Sequence, residues 1–398
     1  MPAALVISRV TLRPLAIPMR RKFTHAASAR EVAEPLVVAV ELSDHTVGYG
    51  ETHPRPYVSG ETIDSAIAAI TSTFIPLLVN LRPANFGEAL EAIAALPFTD
   101  DLGRPITSAR AAIELALLDA YSRAFNRSLE AIGGFLEELA FGAPGSTQTV
   151  TYSGILSSGD PERVARSIRR MRWYARLRDF KLKVGDTDDD ARLRNAAAAL
   201  AGPIARGKAR LRIDANFAWT LEQARNRLDS WRELPISSVE QPLARGKLAD
   251  WAQLAEDSPF PIMADESLVT PADADDLTAA SPRIAFNIRI SKNGGLIPAM
   301  RLAAHARRHE TPYQLGCMVG ETSILSAAGR WFLNLVPDVR FAEGSYGRFL
   351  LTDDIAEPRQ NLPWRGRIRP TAGPGLGIRV DDDQLTQYAA RPSIEIPL

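Results

Sequence analysis

The sequence predicts an α/β protein in which a small α+β domain precedes a parallel β/α barrel. With 398 residues, the chain exceeds the size at which a single hydrophobic core stops growing, so two structural units are expected. Strands followed by helices dominate the first 125 residues, whereas short apolar strands alternate with amphipathic helices after residue 146. Segregated elements indicate an α+β unit, and regular alternation indicates parallel β/α units.

The composition favours a small-molecule partner. The 47 basic and 47 acidic side chains cancel and no long run of one sign occurs, which argues against binding to nucleic acid or to an anionic membrane. Apolar runs are short and the N-terminus lacks a continuous signal core, so we expect a cytoplasmic protein without a membrane span. Cys317 stands alone and no Cys/His cluster has zinc spacing, so any metal ion would be held by oxygen.

The N-terminal domain is expected to combine a small antiparallel sheet with helices. Residues 4–17 and 35–43 alternate as half-buried strands do, and residues 44–51 continue the second strand through a turn. Between residues 61 and 125 the pattern becomes helical, with Ala and Leu at spacings of three and four in residues 108–125. The segment after residue 345 is rich in Pro and Gly, and we expect it to return to this domain.

Beyond residues 142–146 the chain repeats a strand–helix unit. Asp160 followed by Pro161, and Thr220 followed by Gln223, have the composition of helix starts. A β/α barrel allots about 30 residues to each repeat, and the strand ends recur at about that interval. An open doubly wound sheet is the alternative, but no G-x-G-x-x-G follows the first strand. The expected strands lie within residues 149–156, 180–185, 209–216, 236–243, 260–267, 284–291 and 311–318.

Three acids follow three successive strands of the expected barrel. Asp214, Glu240 and Asp265 each stand at or just beyond a strand end, about one β/α repeat apart. Carboxylates from neighbouring strands would converge and repel one another, and a hard cation such as Mg²⁺ is the simplest way to neutralise them. Any single one of them could instead be a helix N-cap or a solvated loop acid.

Two lysines alternate along one strand. Lys181 and Lys183 in "FKLKVG" project to the same side, which on a barrel strand is the interior. Lysines are seldom buried without a partner. Beside a metal-carboxylate cluster they become candidate acid–base groups, because desolvation and a nearby cation lower a lysine pKa. The alternative is a pair of lysines on an exposed edge strand.

These motifs together resemble the enolase superfamily, specifically the muconate lactonizing enzyme subgroup of the mandelate racemase/muconate lactonizing enzyme family. "KLK", "DAN", "EQP" and "DES" agree with the family in order, spacing and neighbouring residues. The resemblance implies a (β/α)7β modified TIM barrel with an α+β capping domain. It places the capping domain at residues 1–130, completed by residues 345–398, and the barrel at residues 131–344.

The resemblance also implies a chemistry, which begins with removal of the proton beside a substrate carboxylate. One divalent ion, Mg²⁺ with Mn²⁺ as the alternative, would bind this small carboxylate substrate and stabilise the enediolate. Lys183 would be the base and Lys181 would tune it. The implied metal ligands are Asp214, Glu240 and Asp265, and the residues that would support ligands or lysines are Asn216, Gln241 and Glu266.

Two mobile loops of such a capping domain would close over the substrate, here residues 22–27 and 53–61. They carry His25 and Tyr57 as candidate substrate contacts. Ser153 on the first barrel strand and Glu321 after the seventh are further candidates, although Ser153 could only fill the barrel and Glu321 could be an ordinary acid at a helix start. Members of the family are commonly oligomeric, so a homo-oligomer is expected.

One position departs from the family pattern. Arg289 stands where the subgroup carries a second lysine on the sixth strand, and a guanidinium is a poor base. Lys292 is expected to face outward, and the seventh strand lacks the histidine of the mandelate racemase branch. Arg289 could clamp a second anionic group of the substrate, or pair with Glu266 or another inward carboxylate and take no part in chemistry.

The favoured function is therefore metal-dependent α-proton abstraction followed by isomerisation, as in a one-base isomerase or cycloisomerase. A lyase that eliminates a β-substituent from a hydroxy acid is the alternative within enzymes. The alternative that is not an enzyme is a barrel that binds metal without catalysis. The presence of Arg289 argues for this alternative, and the presence of Lys183 argues against it.

Overall fold

The computed structural model describes residues 5–25, 28–135, 152–157, 159–362 and 373–398, and the side chains of residues 21–25, 28 and 29 fall outside that description. In the capping region the elements are β1 Ile7–Pro14, β2 Ile17–His25, β3 Ser28–Ala33, β4 Leu36–Leu42, β5 Val47–Thr52, α1 Ile63–Ala69, a π-helical turn Ile70–Phe74, α2 Ile75–Leu78, α3 Phe86–Ala94, α4 Thr107–Ala124 and α5 Ala131–Phe135.

The following part of the chain alternates strands and helices, as the sequence predicts. Its elements are β6 Ser153–Leu156, α6 Pro161–Ala175, β7 Asp179–Lys183, α7 Asp189–Ala205, β8 Arg210–Asp214, α8 Leu221–Ser230, β9 Ile236–Glu240, α9 Leu248–Asp257, β10 Ile262–Ala264, α10 Pro271–Ala280, β11 Ala285–Ile288, α11 Leu296–Arg308, β12 Tyr313–Leu315 and α12 Ser323–Leu335. The C-terminal part contains α13 Gly347–Leu350, β13 Ala356–Glu357, β14 Arg379–Val380, α14 Asp382–Gln387 and β15 Ile394–Pro397.

The N-terminal sheet is antiparallel, with strand order β15-β1-β4-β5. The C-terminal strand β15 pairs with β1, so the end of the chain lies on this sheet. Helix α4 packs on β5 so closely that a Cβ at Gly48 or Gly50 would overlap the α4 backbone. Most of the stretch 22–27, expected as a loop, belongs instead to strand β2, which pairs with β3.

The barrel strands form a parallel sheet in sequence order from β6 to β12. Its two edges are joined at Ala342, which bridges in parallel to Tyr152 and to Leu315. The sheet therefore closes, and the doubly wound alternative is wrong. The helix starts follow the sequence signals, because Asp160 caps α6, and Thr220 with Gln223 forms a capping box on α8.

The strand register brings the ionic residues to one end of the barrel. Lys183 pairs with Asp214, and Asp214 pairs with Glu240 on the next strand. Asp265 directly follows β10, whose Met263 pairs with Glu240. Carboxyl ends of neighbouring parallel strands meet at one rim, so these side chains share a region of the barrel.

A buried carboxylate connects the two parts of the fold. Glu114 of α4 accepts hydrogen bonds from the backbone N–H groups of Leu296 (3.0 Å) and Ile297 (2.7 Å) at the start of α11. Gly295 has φ 119° and a Cβ there would collide with the Glu114 carboxyl group, so only glycine suits this position. Gly295 thus shapes the turn before α11 and makes room for the carboxyl group of Glu114.

Among the helices of the described residues, none is long and apolar enough to cross a membrane.

Candidate functional site

A cavity of about 1570 Å³ lies at the barrel rim, lined by strand-end residues and by residues of the capping region. Lys181 and Lys183 both line it, and they are only 2% and 8% exposed. The exposed edge-strand alternative for these lysines is therefore wrong. Their alternation on β7 places two ammonium groups in the barrel interior.

Lys183 is held at the cavity by two oxygen acceptors. Its Nζ donates to Asp214 Oδ2 (2.6 Å) and to Asn216 Oδ1 (2.7 Å). The Asn216 side chain in turn donates through Nδ2 to Glu266 Oε1 at 3.2 Å. The amine is thus fixed in position while it lines the space where a substrate would lie.

Lys181 lies deeper, among three carboxylates. Its Nζ is 2.8 Å from Glu343 Oε2, 2.9 Å from Glu240 Oε1 and 3.4 Å from Asp214 Oδ2. Burial alone would lower the pKa of Lys181, but these carboxylates raise it above the ordinary lysine value. In this arrangement, without a metal ion, Lys181 is therefore held as a cation by its three carboxylate partners.

The three acids at the strand ends are fully buried and differ in charge environment. Burial would raise the pKa of Asp214, but Lys183 and Lys181 hold it well below the ordinary value. Burial raises the pKa of Glu240, since its cationic neighbours do not fully offset the desolvation. Asp214 and Glu240 share Lys181, and Glu240 and Asp265 share Arg289.

Arg289 points into the site from the end of β11. Its Nη2 contacts Asp265 Oδ2 and lies 3.8 Å from Glu240 Oε1, while Nη1 lies 3.7 Å from Met318 Sδ. Arg289 therefore does not pair with Glu266. It pairs with another inward carboxylate, that of Asp265, which is the second form of this expectation. Arg289 also lines the cavity.

Lys292 is buried, and the expectation that it faces outward is wrong. Strand β11 ends at Ile288, so Lys292 lies in the turn before α11, where strand alternation does not apply. Its Nζ donates to the Asp265 backbone carbonyl (2.6 Å), to Asp265 Oδ1 (3.0 Å) and to the Asn287 carbonyl (2.8 Å). Lys292 therefore fixes the position of Asp265.

The three strand-end acids have the type of donor atom that a divalent ion such as Mg²⁺ prefers. Asp214, Glu240 and Asp265 offer only oxygen donors, and Asp265 Oδ2 accepts no hydrogen bond of proper geometry. Within the described residues, however, no three acid, histidine or cysteine side chains are close enough to hold a metal ion together. Lys181 and Arg289 lie between the acids in this conformation, so metal binding requires Arg289 to leave Asp265.

Gln241 shapes the loop that carries Asp265. Its Oε1 accepts from the backbone N–H groups of Asp265 (2.8 Å) and Ser267 (3.1 Å), and its Nε2 donates to the Leu243 carbonyl (2.7 Å). Glu266 lines the cavity, and burial raises its pKa to about 7. Asn216, Gln241 and Glu266 thus adjoin the ionic cluster, as the sequence predicts.

The four candidate substrate contacts predicted from the sequence differ in whether they line the cavity. Tyr57 and Ser153 line the cavity, and Ser153 Oγ accepts from Arg212 Nη2 at 2.6 Å. Glu321 is not among the described residues that line it; its carboxylate accepts from the Met318 backbone N–H at 2.6 Å instead. The side chain of His25 lies outside the described residues.

Several partners of this cluster escaped the sequence reasoning. Glu343 binds Lys181 and also accepts from Arg212 Nη2 at 3.0 Å. Asn287 donates to Glu240 Oε1 at 3.0 Å, and Gln314 donates to Glu240 Oε2 at 3.3 Å. Asn287 and Gln314 are polar positions inside short apolar strands, a signal that could have identified them.

Comparison with known proteins agrees with this geometry. Residues 7–134 match the family described as "Mandelate racemase / muconate lactonizing enzyme, N-terminal domain", and residues 163–384 match "Enolase C-terminal domain-like". The chain is 31% identical to the L-Lys-D/L-Arg epimerase of Methylococcus capsulatus, over 94% of this chain and 99% of that protein. It is 27% identical to the N-succinyl-L-Arg/Lys racemase of Bacillus cereus, over 96% of this chain and 97% of that protein.

The fold gives the same result. A solved structure of a muconate cycloisomerase variant matches with a TM-score of 0.81 and 26% identity, covering 96% of this chain and 99% of that one. The family resemblance, the modified barrel and its α+β cap are thereby confirmed.

Proposed function

The chain belongs to the mandelate racemase/muconate lactonizing enzyme family, and from that premise we propose that it removes the α-proton of a small carboxylate substrate and isomerises the resulting anion. The relatives include racemases, epimerases and cycloisomerases, so isomerisation is the outcome that the family favours.

The position of Lys183 carries the proposal. Its amine lines the cavity and is oriented by Asp214 and Asn216, the arrangement that a general base requires. Lys181, a cation paired with Glu240 behind it, would support the negative charge of the substrate carboxylate. Lys183 would therefore take the proton, and Lys181 would not.

Asp214, Glu240 and Asp265 are the residues that would hold a divalent ion, with Mg²⁺ as the first choice. When bound, such an ion binds the substrate carboxylate and stabilises the charge that develops as the α-proton leaves. Lys292 and Gln241 would keep Asp265 in place while Arg289 moves aside.

Arg289 limits the stereochemistry. A guanidinium keeps its proton at neutral pH, so Arg289 cannot take a proton from the second face of the substrate. Lys183 would then both remove the proton and return it, on one face. A one-base isomerase or cycloisomerase follows, and a racemase with two bases does not.

Solvent deuterium exchange tests the proposal. The enzyme would be incubated with Mg²⁺ in deuterated buffer with N-acyl amino acids, dipeptides, hydroxyproline derivatives and sugar acids, and α-deuterium would be measured by mass spectrometry. Lys183→Ala should abolish exchange, whereas Lys208→Ala, at an exposed turn, should not change it. Exchange that survives in Lys183→Ala would refute the assignment of the base.

The products then distinguish the reactions. Loss of water or another group identifies a lyase, and an isomer of unchanged mass identifies an isomerase. Absence of exchange with every substrate would favour a non-catalytic barrel. The homo-oligomeric state and the cytoplasmic location stay predictions, and sedimentation velocity tests the first.

A further inference from the structure

The cavity wall is strongly cationic beyond the ionic cluster. Among the described residues, six further arginines line it: Arg20, Arg55, Arg163, Arg166, Arg170 and Arg348. The acids that line it are Asp160, Glu266 and Glu343. Such a surface favours a substrate that carries more negative charge than a single carboxylate.

Arg55 differs from the other arginines because it is buried. Arg55 is 3% exposed, and it forms no ion pair with a carboxylate of the described residues. Its hydrogen-bond partners are the Pro54 carbonyl and His53 Nδ1, both at 3.3 Å. Burial and the nearby Arg30 lower the pKa of Arg55 to about 10, so it remains charged at neutral pH.

An unpaired buried cation is unfavourable unless something binds it. A guanidinium has five N–H donors, and within the part of the chain that the structure describes the two long contacts to His53 and Pro54 leave the others without a strong acceptor. Because Arg55 lines the cavity, a group bound there can reach those donors. The observation thus points to a ligand anion rather than to a structural ion pair.

Glu51 and His53 hold Arg55 in place. A guanidinium can only donate, so His53 Nδ1 must accept and Nε2 must carry the proton, which it donates to Glu51 Oε1 at 2.9 Å. Burial lowers the pKa of His53, which keeps this neutral tautomer at physiological pH.

This chain of contacts is anchored in the barrel. The His53 backbone N–H donates to Ser291 Oγ at 3.0 Å, and Glu51 accepts from the Thr322 N–H (2.9 Å) and hydroxyl (2.6 Å) at the start of α12. The guanidinium of Arg55 is therefore preorganised from both sides, although it lies on a loop of the capping region.

We propose that Arg55 binds a second carboxylate of the substrate, so that the substrate class is a dicarboxylate, with Glu51 and His53 as positioning residues. This inference rests on the proposed function. The planar fork of a guanidinium matches a carboxylate in two parallel hydrogen bonds. A substrate with a neutral group in that place leaves the buried cation unpaired, which disfavours it.

A matched pair of substrates tests the proposal. N-succinyl-L-alanine carries a second carboxylate, and its terminal carboxamide has the same shape without the charge. The wild type should exchange the α-proton of the dianion with a kcat/KM roughly 10- to 100-fold higher, the range expected for one charged hydrogen-bonded contact. Calorimetry in the presence of Mg²⁺ should show the same preference in binding.

Variants of single residues show which side chain causes the preference for the dianion over the carboxamide. Arg55→Gln should remove it by slowing the dianion and leaving the carboxamide unchanged, and Arg55→Lys should keep part of it. Arg169→Gln, at an exposed arginine of α6 that is not among the residues lining the cavity, is the matched control and should keep all of it. His53→Gln should raise KM for the dianion more than it lowers kcat. Circular dichroism and thermal melting show whether each variant is folded.

The outcomes separate the two proposals. No exchange of the dianion by a wild type that exchanges another carboxylate of the panel would overturn this inference alone, and no exchange of any compound would sink the proposed function with it. Exchange of both compounds at equal rates, or a full preference in folded Arg55→Gln, would overturn only the role of Arg55. Loss of the preference in Arg169→Gln as well would mean that general charge, not Arg55, selects the dianion.

Discussion

Glu343→Gln should destabilise the protein substantially. The carboxylate is buried and makes two charged hydrogen bonds, with Lys181 Nζ at 2.8 Å and Arg212 Nη2 at 3.0 Å. Burial alone would raise the pKa of Glu343, but Lys181 and Arg212 bring it below the ordinary value, so the group is ionised at neutral pH. The substitution keeps the size of the side chain, removes its charge and replaces one acceptor oxygen by an amide NH2 that cannot accept from Lys181 or Arg212.

The magnitude follows from those contacts. Breaking a buried ion pair by removing one partner destabilises by about 3–5 kcal/mol. Lys181 keeps Glu240 and Asp214 as partners, and Arg212 keeps Gln314 and Ser153, so we expect the lower end, about 3 kcal/mol. The apparent free energy of unfolding would be compared in urea at pH 7, with the transition followed by tryptophan fluorescence and circular dichroism.

Glu321→Gln is the matched control. Glu321 is a half-buried glutamate of the barrel rim, and desolvation of its carboxyl raises its pKa to about 8, so that carboxyl is already largely uncharged at pH 7. Gln is a close substitute there, and a loss of less than about 1 kcal/mol is expected. Equal destabilisation by both variants would show that shape, not the ion pairs of Glu343, accounts for the loss, and the reasoning would be refuted.

Three further outcomes are expected. Arg289→Lys should introduce a second base, so that deuterium enters both stereochemical positions at the α-carbon of a substrate; incorporation on one face only, by chiral chromatography, would contradict this. Removal of divalent ions with EDTA should abolish exchange, added Mg²⁺ should restore it, and Asp214→Asn should abolish Mg²⁺ uptake in calorimetry. Burial raises the pKa of Glu114 to about 7, above the ordinary 4.5, so the folded state retains a proton that the unfolded chain loses. The contribution of Glu114 to stability should therefore fall by about 3 kcal/mol between pH 4.5 and 7, and the wild type should lose more stability than Glu114→Gln across that range in urea midpoints.

The sequence predicts the residues whose placement follows from regular periods. Lys181 and Lys183 lie two apart on a strand, so a single rule puts both inside the barrel. Asp214, Glu240 and Asp265 recur with the β/α repeat, so a second rule places all three at one rim. These two regularities predict most of the ionic cluster.

Residues outside the regular elements escape such rules. Lys292 lies in a turn, so the strand rule gave the wrong side. Glu343 follows Ala342, which closes the barrel through isolated bridges and not through a strand long enough to have a pattern. Arg55 has no signal in the sequence, because its significance depends on burial by residues distant in the chain.

Arg289 stands where the family pattern has a lysine, and this difference matters for charge as well as for proton transfer. Arg289 contacts Asp265 and approaches Glu240, so it supplies a positive charge to the acids at the rim, as a lysine there would. An arginine here therefore gives the cluster the same positive charge as a lysine would, without an amine that can lose its proton. A neutral residue would leave Asp265 with Lys292 as its remaining cationic partner among the described residues. Positive charge without basicity at position 289 fits a site that exchanges protons on one face of the substrate, through Lys183.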